Sequence, residues 1–186
     1  MVRSFASNPV APEALERIMD TARRGPSAGY SQGVELVAVT NEATRRDIAR
    51  TVSNRETAAE AIGGIPVHIV ICASAEIYRA RYREPDKERV RAGVSDEVMW
   101  QVPFWFVDAG CSMMLALLAV VNEGLAASFI GVWRPDDLRS LLGIPDVYTP
   151  VGVVLVGHRS PEEQPQGSVM KRRRRPDADV LHQERW

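Results

Sequence analysis

Apolar and polar positions alternate along the chain in patterns that predict helices and strands in turn. Residues 12–24 carry apolar side chains at helical spacing, with a proline in the first turn and Gly25-Pro26 at the end, so they predict a helix. A strand is predicted over residues 34–40 and a polar helix over residues 43–52. Residues 65–73 (IPVHIVICA) are almost continuously apolar and rich in β-branched side chains, which is typical of a strand buried on both faces.

The second half of the chain is dominated by a long apolar segment over residues 97–123, which ends at Gly124. A helix that is apolar all round must be buried, either in a core or against a second subunit. Residues 78–95 are strongly charged and predict a surface helix with a mobile loop. The remaining predicted elements are a short strand over residues 126–132, a small helix over residues 135–143, a buried strand over residues 151–157 and a polar extension over residues 160–186. This alternation predicts one layered domain over residues 1–186, of the α/β or α+β class.

Length, charge and cysteine content narrow the class of protein. A chain of 186 residues suits one domain, and a formal net charge of −1 argues against a protein that coats nucleic acid or an anionic membrane. The apolar run around residues 113–121 is predicted to be too short to cross a bilayer, and the N-terminus has no secretory pattern. Cys72 and Cys111 lie in apolar stretches and are expected to be free thiols, which suits a reducing cytoplasm.

Three segments are candidates for ligand binding, and each also has a purely structural interpretation. The loop over residues 25–33 (GPSAGYSQG) offers backbone N–H groups and small side chains to a flat ligand, although an ordinary helix-to-strand connection has the same composition. The basic run over residues 171–175 is open to three interpretations: a solvated tail, a nucleic-acid patch, or a phosphate clamp completed by Arg3. The aromatic side chains of Trp100 and residues 104–106 are suited either to core or interface packing or to the wall of a site for a planar ligand.

Several signatures of other chemistries are missing from the sequence. It contains no G-x-G-x-x-G after a strand, no G-x-x-x-x-G-K-[ST] and no G-x-S-x-G. The cysteines and histidines have no metal-ligand spacing, and His68, inside an apolar strand, is expected to be a core histidine. If the protein is an enzyme, a cofactor should therefore carry the chemistry, without a catalytic protein nucleophile or a metal.

Several short motifs occur in a fixed order along nearly the whole chain. They are Val2-Arg3-Ser4-Phe5 with Pro9-Val10, Gly25-Pro26-Ser27-Ala28-Gly29-Tyr30-Ser31-Gln32, Asp108-Ala109-Gly110, Gly124-Leu125, Leu142-Gly143-Ile144-Pro145, the run VGVVLVGHRSP, and Arg174-Arg175-Pro176 with Val180 and Trp186. In this order they resemble the nitroreductase family of flavoproteins, whose patterns include R-x-F…P-V and A-P-S-x-x-N-x-Q.

The resemblance implies an α+β fold with three layers (α/β/α), a central mixed sheet and an intertwined homodimer. FMN would lie at the interface, with the long apolar helix in the dimer core and residues 160–186 docked on the partner subunit. Carried over motif by motif, the residues that would bind FMN fall into three groups. They are Arg3, Ser4, Arg172 and Arg174 at the phosphate, Pro26, Ser27, Ala28, Tyr30 and Gln32 along the ring or ribityl chain, and Ile130, Gly131 and Val132 beside the flavin.

The resemblance also implies an activity, in which the flavin takes hydride from NAD(P)H and passes electrons to a nitroaromatic, quinone or related acceptor. Two alternatives use the same fold. One is specialised flavin chemistry such as dehalogenation, flavin fragmentation or dehydrogenation of a metabolite, with residues 78–95 as a substrate lid. The other is a non-catalytic binder of a flavin or deazaflavin. Nucleic-acid binding through residues 171–175 is a further hypothesis that would require a strong salt dependence.

Three positions depart from the family pattern. The family's Arg-Arg-Ser stretch before R-x-F, which helps to bind phosphate, has no counterpart after Met1. We therefore expect either a start further upstream or phosphate binding by Arg3 and the C-terminal arginines. Tyr30 stands where asparagine is common, and Gly33 stands where proline is common.

Overall fold

The computed structural model describes residues 1–164 and 170–186. Its strands are β1 (Phe5–Ala6), β2 (Val34–Val39), β3 (Val67–Ala73), β4 (Ala126–Gly131) and β5 (Thr149–Arg159). Its helices are α1 (Pro12–Ala22), α2 (Glu42–Val52), α3 (Glu56–Gly63), α4 (Ala75–Tyr82), α5 (Glu88–Arg91), α6 (Asp96–Met99), α7 (Phe104–Asn122) and α8 (Pro135–Leu142). Short 3₁₀ turns occur at Ala28–Tyr30, Pro85–Lys87 and Asp177–Asp179. The fold class is α+β, as predicted, and α3 is the one longer helix that the sequence analysis missed.

The strands form a sheet in the order β1-β5-β3-β2, and β4 also pairs with β5. Every pairing between the described strands is antiparallel, so this sheet differs from the mixed sheet that was expected. The connection through α2 and α3 explains the direction of β3. It returns the chain to the end at which β2 finishes, and Val39 therefore pairs with His68. A parallel pair would need a crossover to the end at which β2 begins.

Helices cover both faces of the sheet, which gives the three layers that were predicted. Side chains along β5 alternate between the two faces, as strand geometry requires. Val154 packs in one apolar core with Ile18 of α1 and with α7. Val153 packs in the other core with Ile48 of α2 and Leu138 of α8. The central strand β3 is buried along its whole length, as its apolar sequence predicts.

The long apolar segment forms two helices, α6 and α7, and not the single helix predicted over residues 97–123. Pro103 precedes α7 with a ψ of 84°, outside the helical range. Proline also disfavours the helical conformation in the residue before it and cannot donate a backbone hydrogen bond, so the helix is interrupted here. The predicted end is confirmed. Gly124 adopts φ 72° after the last turn, and the N–H of Leu125 donates to the carbonyl of Val120.

The segment Asp96–Asn122 is long and apolar enough to cross a membrane when judged by length and composition alone. The expectation that the apolar run is too short is therefore wrong by that measure. In the structure α7 packs against α1 and against the strands β3, β4 and β5. It also carries the buried, hydrogen-bonded carboxylate of Asp108, and both features are those of a core helix.

The charged segment before α6 contributes more to the core than was predicted. Helix α4 begins at Ala75, where the Ser74 hydroxyl accepts a hydrogen bond from the N–H of Ile77. Its Tyr78 side chain is completely buried, whereas Glu76, Arg79 and Ala80 are exposed, so α4 is a surface helix that is held to the core by one aromatic ring. The reason is that Tyr78 packs against the loop that leads into β2, as described below.

The corner between α2 and α3 is held by a buried guanidinium. Arg45 donates hydrogen bonds to the carbonyls of Thr40 and Gly63, at 3.1 and 3.0 Å, and also to the carbonyl of Ile65. Desolvation by burial lowers the pKa of Arg45. These contacts tie the beginning of α2 to the end of α3 and fix the position of the turn between them.

Candidate functional site

The loop between α1 and β2, residues 25–33, has an unusual backbone. Gly29, Tyr30 and Gln32 adopt φ values of 63°, 56° and 55°. Left-handed backbone is costly for bulky residues and better tolerated by asparagine, which is the residue that the family commonly has in place of Tyr30. The Ser27 Oγ accepts a hydrogen bond of 2.7 Å from the N–H of Gln32 and closes the loop on itself. Such a backbone persists only where its surroundings hold it.

A buried carboxylate on α7 supplies that support. Asp108 is 5% exposed, and its Oδ2 accepts hydrogen bonds from the backbone N–H of Ala28 at 2.8 Å and from the Tyr78 hydroxyl at 2.6 Å. Burial, and then the hydrogen bond to Asp108, raise the pKa of Tyr78, so its hydroxyl stays protonated and donates. The pair therefore fixes the loop to the core helix from the side that faces away from solvent.

Two glycines allow the loop to lie close to aromatic rings. A Cβ at Gly33 would lie 2.7 Å from Cε2 of Tyr78, and a Cβ at Gly29 would lie 2.5 Å from Cε2 of Tyr82. Both distances are below normal contact, so these positions have room only for glycine. The space that the family's common proline would need at Gly33 is taken here by the ring of Tyr78.

Two of the aromatic residues before and within α7 take the packing role that the sequence left open. Trp105 is buried, and its ring lies 5.6 Å from the ring of Trp100, which in turn lies 5.1 Å from Tyr82. These rings form a packed cluster behind the loop. Phe104 and Phe106 remain exposed on α7.

A cleft of about 470 Å³ opens beside the loop. It is lined by Arg23, Arg24, Gly25, Pro26, Ser27, Tyr30, Gln32, Val34 and Ser112. Four of the predicted flavin-binding residues, at positions 26, 27, 30 and 32, therefore share one cavity. Ala28 lies beneath it, because its N–H is bound to Asp108. Arg23 and Arg24 are not among the predicted site residues, and their position directly before the loop is the sequence signal that could have identified them.

The strand end at Ile130, Gly131 and Val132 lies at the same end of the sheet as this loop but on a different edge strand. Gly131 pairs with Gly152 near the beginning of β5, where the end of β3 and the beginning of β2 also lie. Three inter-strand steps separate β2 from β4, a distance of about 14 Å at the usual strand spacing. One protomer therefore does not bring these two groups of predicted residues together.

The N-terminal residues lie along the β4 edge. The N–H of Val2 donates to the carbonyl of Ala127 at 3.1 Å, which brings Arg3 and Ser4 to this side of the sheet. The carboxylate of Glu163 accepts hydrogen bonds from the backbone N–H groups of Arg3 and Ser4. The first of these bonds is the largest cause that lowers the pKa of Glu163. The N–H groups at this predicted phosphate position thus already bind an anionic group.

The C-terminal arginines predicted to bind phosphate lie in an exposed segment. In residues 170–186 the hydrogen bond from Arg175 to the carbonyl of Asp179 and the stacking of His182 on Trp186 are internal to the segment. Arg172 and Arg174 are exposed, and within the described residues no hydrogen bond or ion pair joins them to Arg3. Trp186 is fully exposed.

His68 and Cys72 are titratable groups that are buried in the core. His68 is completely buried, and its Nε2–H donates to the carbonyl of Ile62 at 2.9 Å, so its interpretation as a core histidine is confirmed. Desolvation lowers the pKa of His68 to about 4. Cys72 and Cys111 are free thiols, as predicted. Over residues 1–164 and 170–186, no three histidine, cysteine or acidic side chains are grouped so as to hold a metal ion.

Comparison with known proteins agrees with this fold and this arrangement of motifs. The model of the nitroreductase family matches residues 1–158, so the chain belongs to the nitroreductase family. An FMN reductase [NAD(P)H] from Bacillus subtilis is 27% identical over 187 residues, which cover 100% of this chain and 70% of that protein. An NADPH-flavin oxidoreductase from Vibrio harveyi is 26% identical over 172 residues, or 89% of this chain and 65% of that protein. The structure of the hypothetical oxidoreductase YcnD from Bacillus subtilis superposes with a TM-score of 0.76 at 25% identity, covering 100% of this chain and 70% of that one.

Proposed function

We propose that this protein is an FMN-dependent oxidoreductase that takes hydride equivalents from NAD(P)H and passes them to a nitroaromatic, quinone or related acceptor. The observation that carries the proposal is the strained loop over residues 25–33, anchored by Asp108 beside a polar cleft at the position of the family's flavin-bordering motif. The similarity to the Bacillus FMN reductase [NAD(P)H] and to the Vibrio NADPH-flavin oxidoreductase supports both the flavin and the nicotinamide donor.

The donor groups of the cleft fit FMN. A flavin needs an apolar surface for its ring, hydrogen-bonding groups for its polar edge and ribityl hydroxyls, and positive charge for its reduced and phosphorylated forms. Pro26 and Val34 offer the apolar surface, Ser27 and Gln32 offer hydrogen bonds, and Arg23 lies at the rim with a guanidinium. The cavity volume lies within the range of about 300–1,000 Å³ that is usual for ligand sites.

FMN, when bound, supplies the hydride chemistry, and the protein residues bind and orient it. The Ser27 hydroxyl accepts from the N–H of Gln32 and also interacts with the Tyr78 hydroxyl, so its position at the cleft is fixed from two sides. The guanidiniums of Arg23 and Arg24 favour negative charge nearby, which stabilises a reduced, anionic ring. Backbone N–H groups near Gly131 would donate to the ring from the other edge strand, and Arg3, Ser4, Arg172 and Arg174 would hold the phosphate. These assignments follow the family motifs.

The site requires a second copy of the chain in this proposal. The strands β2 and β4, which adjoin these two groups, lie three inter-strand steps or about 14 Å apart in one protomer, and a partner would bring one group to the other. Helix α7 has a suitable surface, because an apolar stripe at three- and four-residue spacing faces away from the core. The stripe consists of the exposed side chains of Phe104, Val107, Met114, Leu118 and Val121. The extension over residues 160–186 would cross to the partner, and its residues 165–169 lie outside the described part of the chain.

The homodimer is tested by placing a charge in this stripe. Leu118→Glu should yield monomers in analytical ultracentrifugation and abolish FMN retention, because a carboxylate would be buried in an apolar interface. Val90→Glu on the exposed helix α5 makes the same change outside the stripe and should leave the dimer intact. A dimeric Leu118→Glu variant that retains FMN would exclude this interface.

The proposed activity is tested by absorption spectroscopy of the protein after incubation with FMN and removal of the excess. We expect a retained flavin spectrum that bleaches under NADH or NADPH and recovers when a quinone or nitroaromatic acceptor is added. Reduction by a metabolite but not by nicotinamides would support specialised flavin chemistry instead. A stoichiometric flavin that never turns over would identify a binder. Free thiols at Cys72 and Cys111 support a cytoplasmic setting for this reaction.

A further inference from the structure

A second cleft, of about 540 Å³, lies next to the predicted flavin-binding strand end but outside the residues assigned above. We define it as the corner cleft, because the turn between α2 and α3 forms one wall and the residues after β4 form the other. Its lining includes Arg50, Ser53, Asn54, Arg55, Trp133 and Arg134. None of these residues is among the flavin-binding residues predicted from the sequence.

The chemistry of the corner cleft combines an aromatic surface with positive charge. Trp133 is 82% exposed, and among the described residues its indole stacks on no other aromatic ring. Three guanidiniums, those of Arg50, Arg55 and Arg134, line the same cavity, in which Glu56 is the one carboxylate. A flat aromatic surface beside several guanidiniums suits a purine ring that carries phosphate, through stacking and bidentate hydrogen bonds.

The walls of the cleft are held in place, while two of its arginines can still exchange partners. Arg134 donates through Nη2 to the carbonyl of Arg50, which joins the two walls. Arg50 pairs with Asp47 at 2.6 Å and Arg134 pairs with Asp137 at 3.6 Å, and both pairs are exposed. Exposed ion pairs contribute little, so they can give way to a phosphate dianion. Arg55 makes no ion pair in the described part of the chain.

The position of the cleft connects it to the proposed flavin site. Trp133 directly follows Val132, so its Cα lies within about 8 Å of the Cα of Gly131. The cleft is built on the face of the sheet that α2, α3 and α8 cover, opposite α7, so a dimer formed through the α7 stripe leaves it open. A dinucleotide with its nicotinamide on a flavin near Gly131 would extend its adenosine end along this surface.

We propose that the corner cleft binds the 2′-phosphorylated adenosine end of NADPH and gives the enzyme a preference for NADPH over NADH. Trp133 stacks on the adenine, and Arg55, with Arg50 and Arg134, binds the 2′-phosphate. This inference rests on the proposed function, because it assumes a nicotinamide donor. A short single-stranded nucleic acid is the competing occupant, but the small concave cavity and the net charge of −1 favour a single nucleotide.

The test is calorimetric titration of the full-length protein with 2′,5′-ADP, 5′-AMP, inorganic phosphate and a short oligonucleotide. We expect 2′,5′-ADP to bind at least about ten-fold more tightly than 5′-AMP, because only 2′,5′-ADP carries the 2′-phosphate that accepts hydrogen bonds from the arginines. Arg55→Ala should remove most of that difference while leaving 5′-AMP nearly unchanged, and Trp133→Ala should weaken both nucleotides. Arg89→Ala on α5, which removes one exposed charge outside the cleft, is the matched control.

The outcomes separate this inference from the proposed function. Equal binding of 2′,5′-ADP and 5′-AMP, no effect of Arg55→Ala beyond that of Arg89→Ala, or tighter binding of the oligonucleotide would each overturn the inference. If the protein retains FMN that NADH and NADPH reduce equally well, the proposed function stands without the corner cleft. If 2′,5′-ADP binds as expected but no flavin is retained, the nucleotide site stands and the flavin proposal fails. In the flavin-loaded enzyme, Arg55→Ala should raise KM for NADPH, with kcat and the kinetics with NADH retained.

Discussion

The hydrogen bonds of Asp108 make a quantitative prediction about the link between the core and the flavin loop. Its buried carboxylate accepts from the N–H of Ala28 and from the hydroxyl of Tyr78. Hydrogen bonds to a charged acceptor contribute about 1.5–3 kcal/mol and those to a neutral one about 0.5–1.5 kcal/mol. In Asp108→Asn the acceptor is a neutral amide, so each hydrogen bond becomes weaker or is lost, while the cost of burying a charged carboxylate disappears. Together these changes should lower the free energy of unfolding by about 2 kcal/mol.

Two assays follow from this estimate. For a chain of this length, 2 kcal/mol corresponds to a decrease in Tm of about 4–8 °C, measurable by calorimetry. FMN affinity, measured by the quenching of flavin fluorescence, should fall about ten-fold, because the left-handed residues of the loop lose their support. A double-mutant cycle with Tyr78→Phe should reveal coupling between the two side chains.

The control for this prediction is Asp136→Asn. The Asp136 carboxylate also accepts a hydrogen bond from an arginine side chain, that of Arg139, but it lies on the exposed surface of α8 and lines neither cleft. It should change neither Tm nor FMN affinity appreciably. The reasoning is refuted if Asp108→Asn is no more destabilising than this control. If stability falls but FMN affinity stays within about two-fold, Asp108 supports the core and does not position the loop.

Two further predictions concern buried His68 and the glycines of left-handed backbone. Folding lowers the pKa of His68 from about 6.5 to about 4, so between these values the unfolded chain binds the proton more readily than the folded chain. The free energy of unfolding should therefore be highest above pH 6.5 and should decline as the pH falls towards 4. The loss should reach about 3 kcal/mol in urea titrations across this range, and His68→Gln should flatten that slope whereas the exposed variant His182→Gln should not. Gly29→Ala and Gly93→Ala both place a Cβ on a residue of positive φ, but only the Cβ at position 29 would contact another side chain, that of Tyr82. Gly29→Ala should therefore lower Tm more than Gly93→Ala does, and it alone should weaken FMN binding. Equal effects in thermal unfolding and flavin titration would mean that contact with Tyr82 contributes nothing.

The hydrophobic pattern predicted most helices and strands correctly, but it predicted less well where a helix is interrupted. The strands β2 to β5 begin within two residues of the predicted positions, and Gly124 ends the long helix as expected. Pro103 splits that helix, and α3 was missed because its short alternation of alanine with polar residues resembles a loop. The surface helix predicted over the charged segment proved to carry the buried Tyr78. Only Tyr78 reflects a contact with a distant part of the chain, since it binds Asp108, whereas the break at Pro103 and helix α3 are local features.

The sequence by itself determined what each segment is suited to do. Its motifs, in order, identified the family, and its buried apolar strands and small-residue loop identified the layers and one wall of the candidate site. The tertiary structure alone decided which groups meet. Asp108 is 80 residues from Ala28, and Trp133 is far along the chain from Arg55, so neither the anchored loop nor the corner cleft is visible in local spacing. The distance between β2 and β4 likewise follows from strand order, and strand order depends on long-range pairing that periodicity along the chain does not encode.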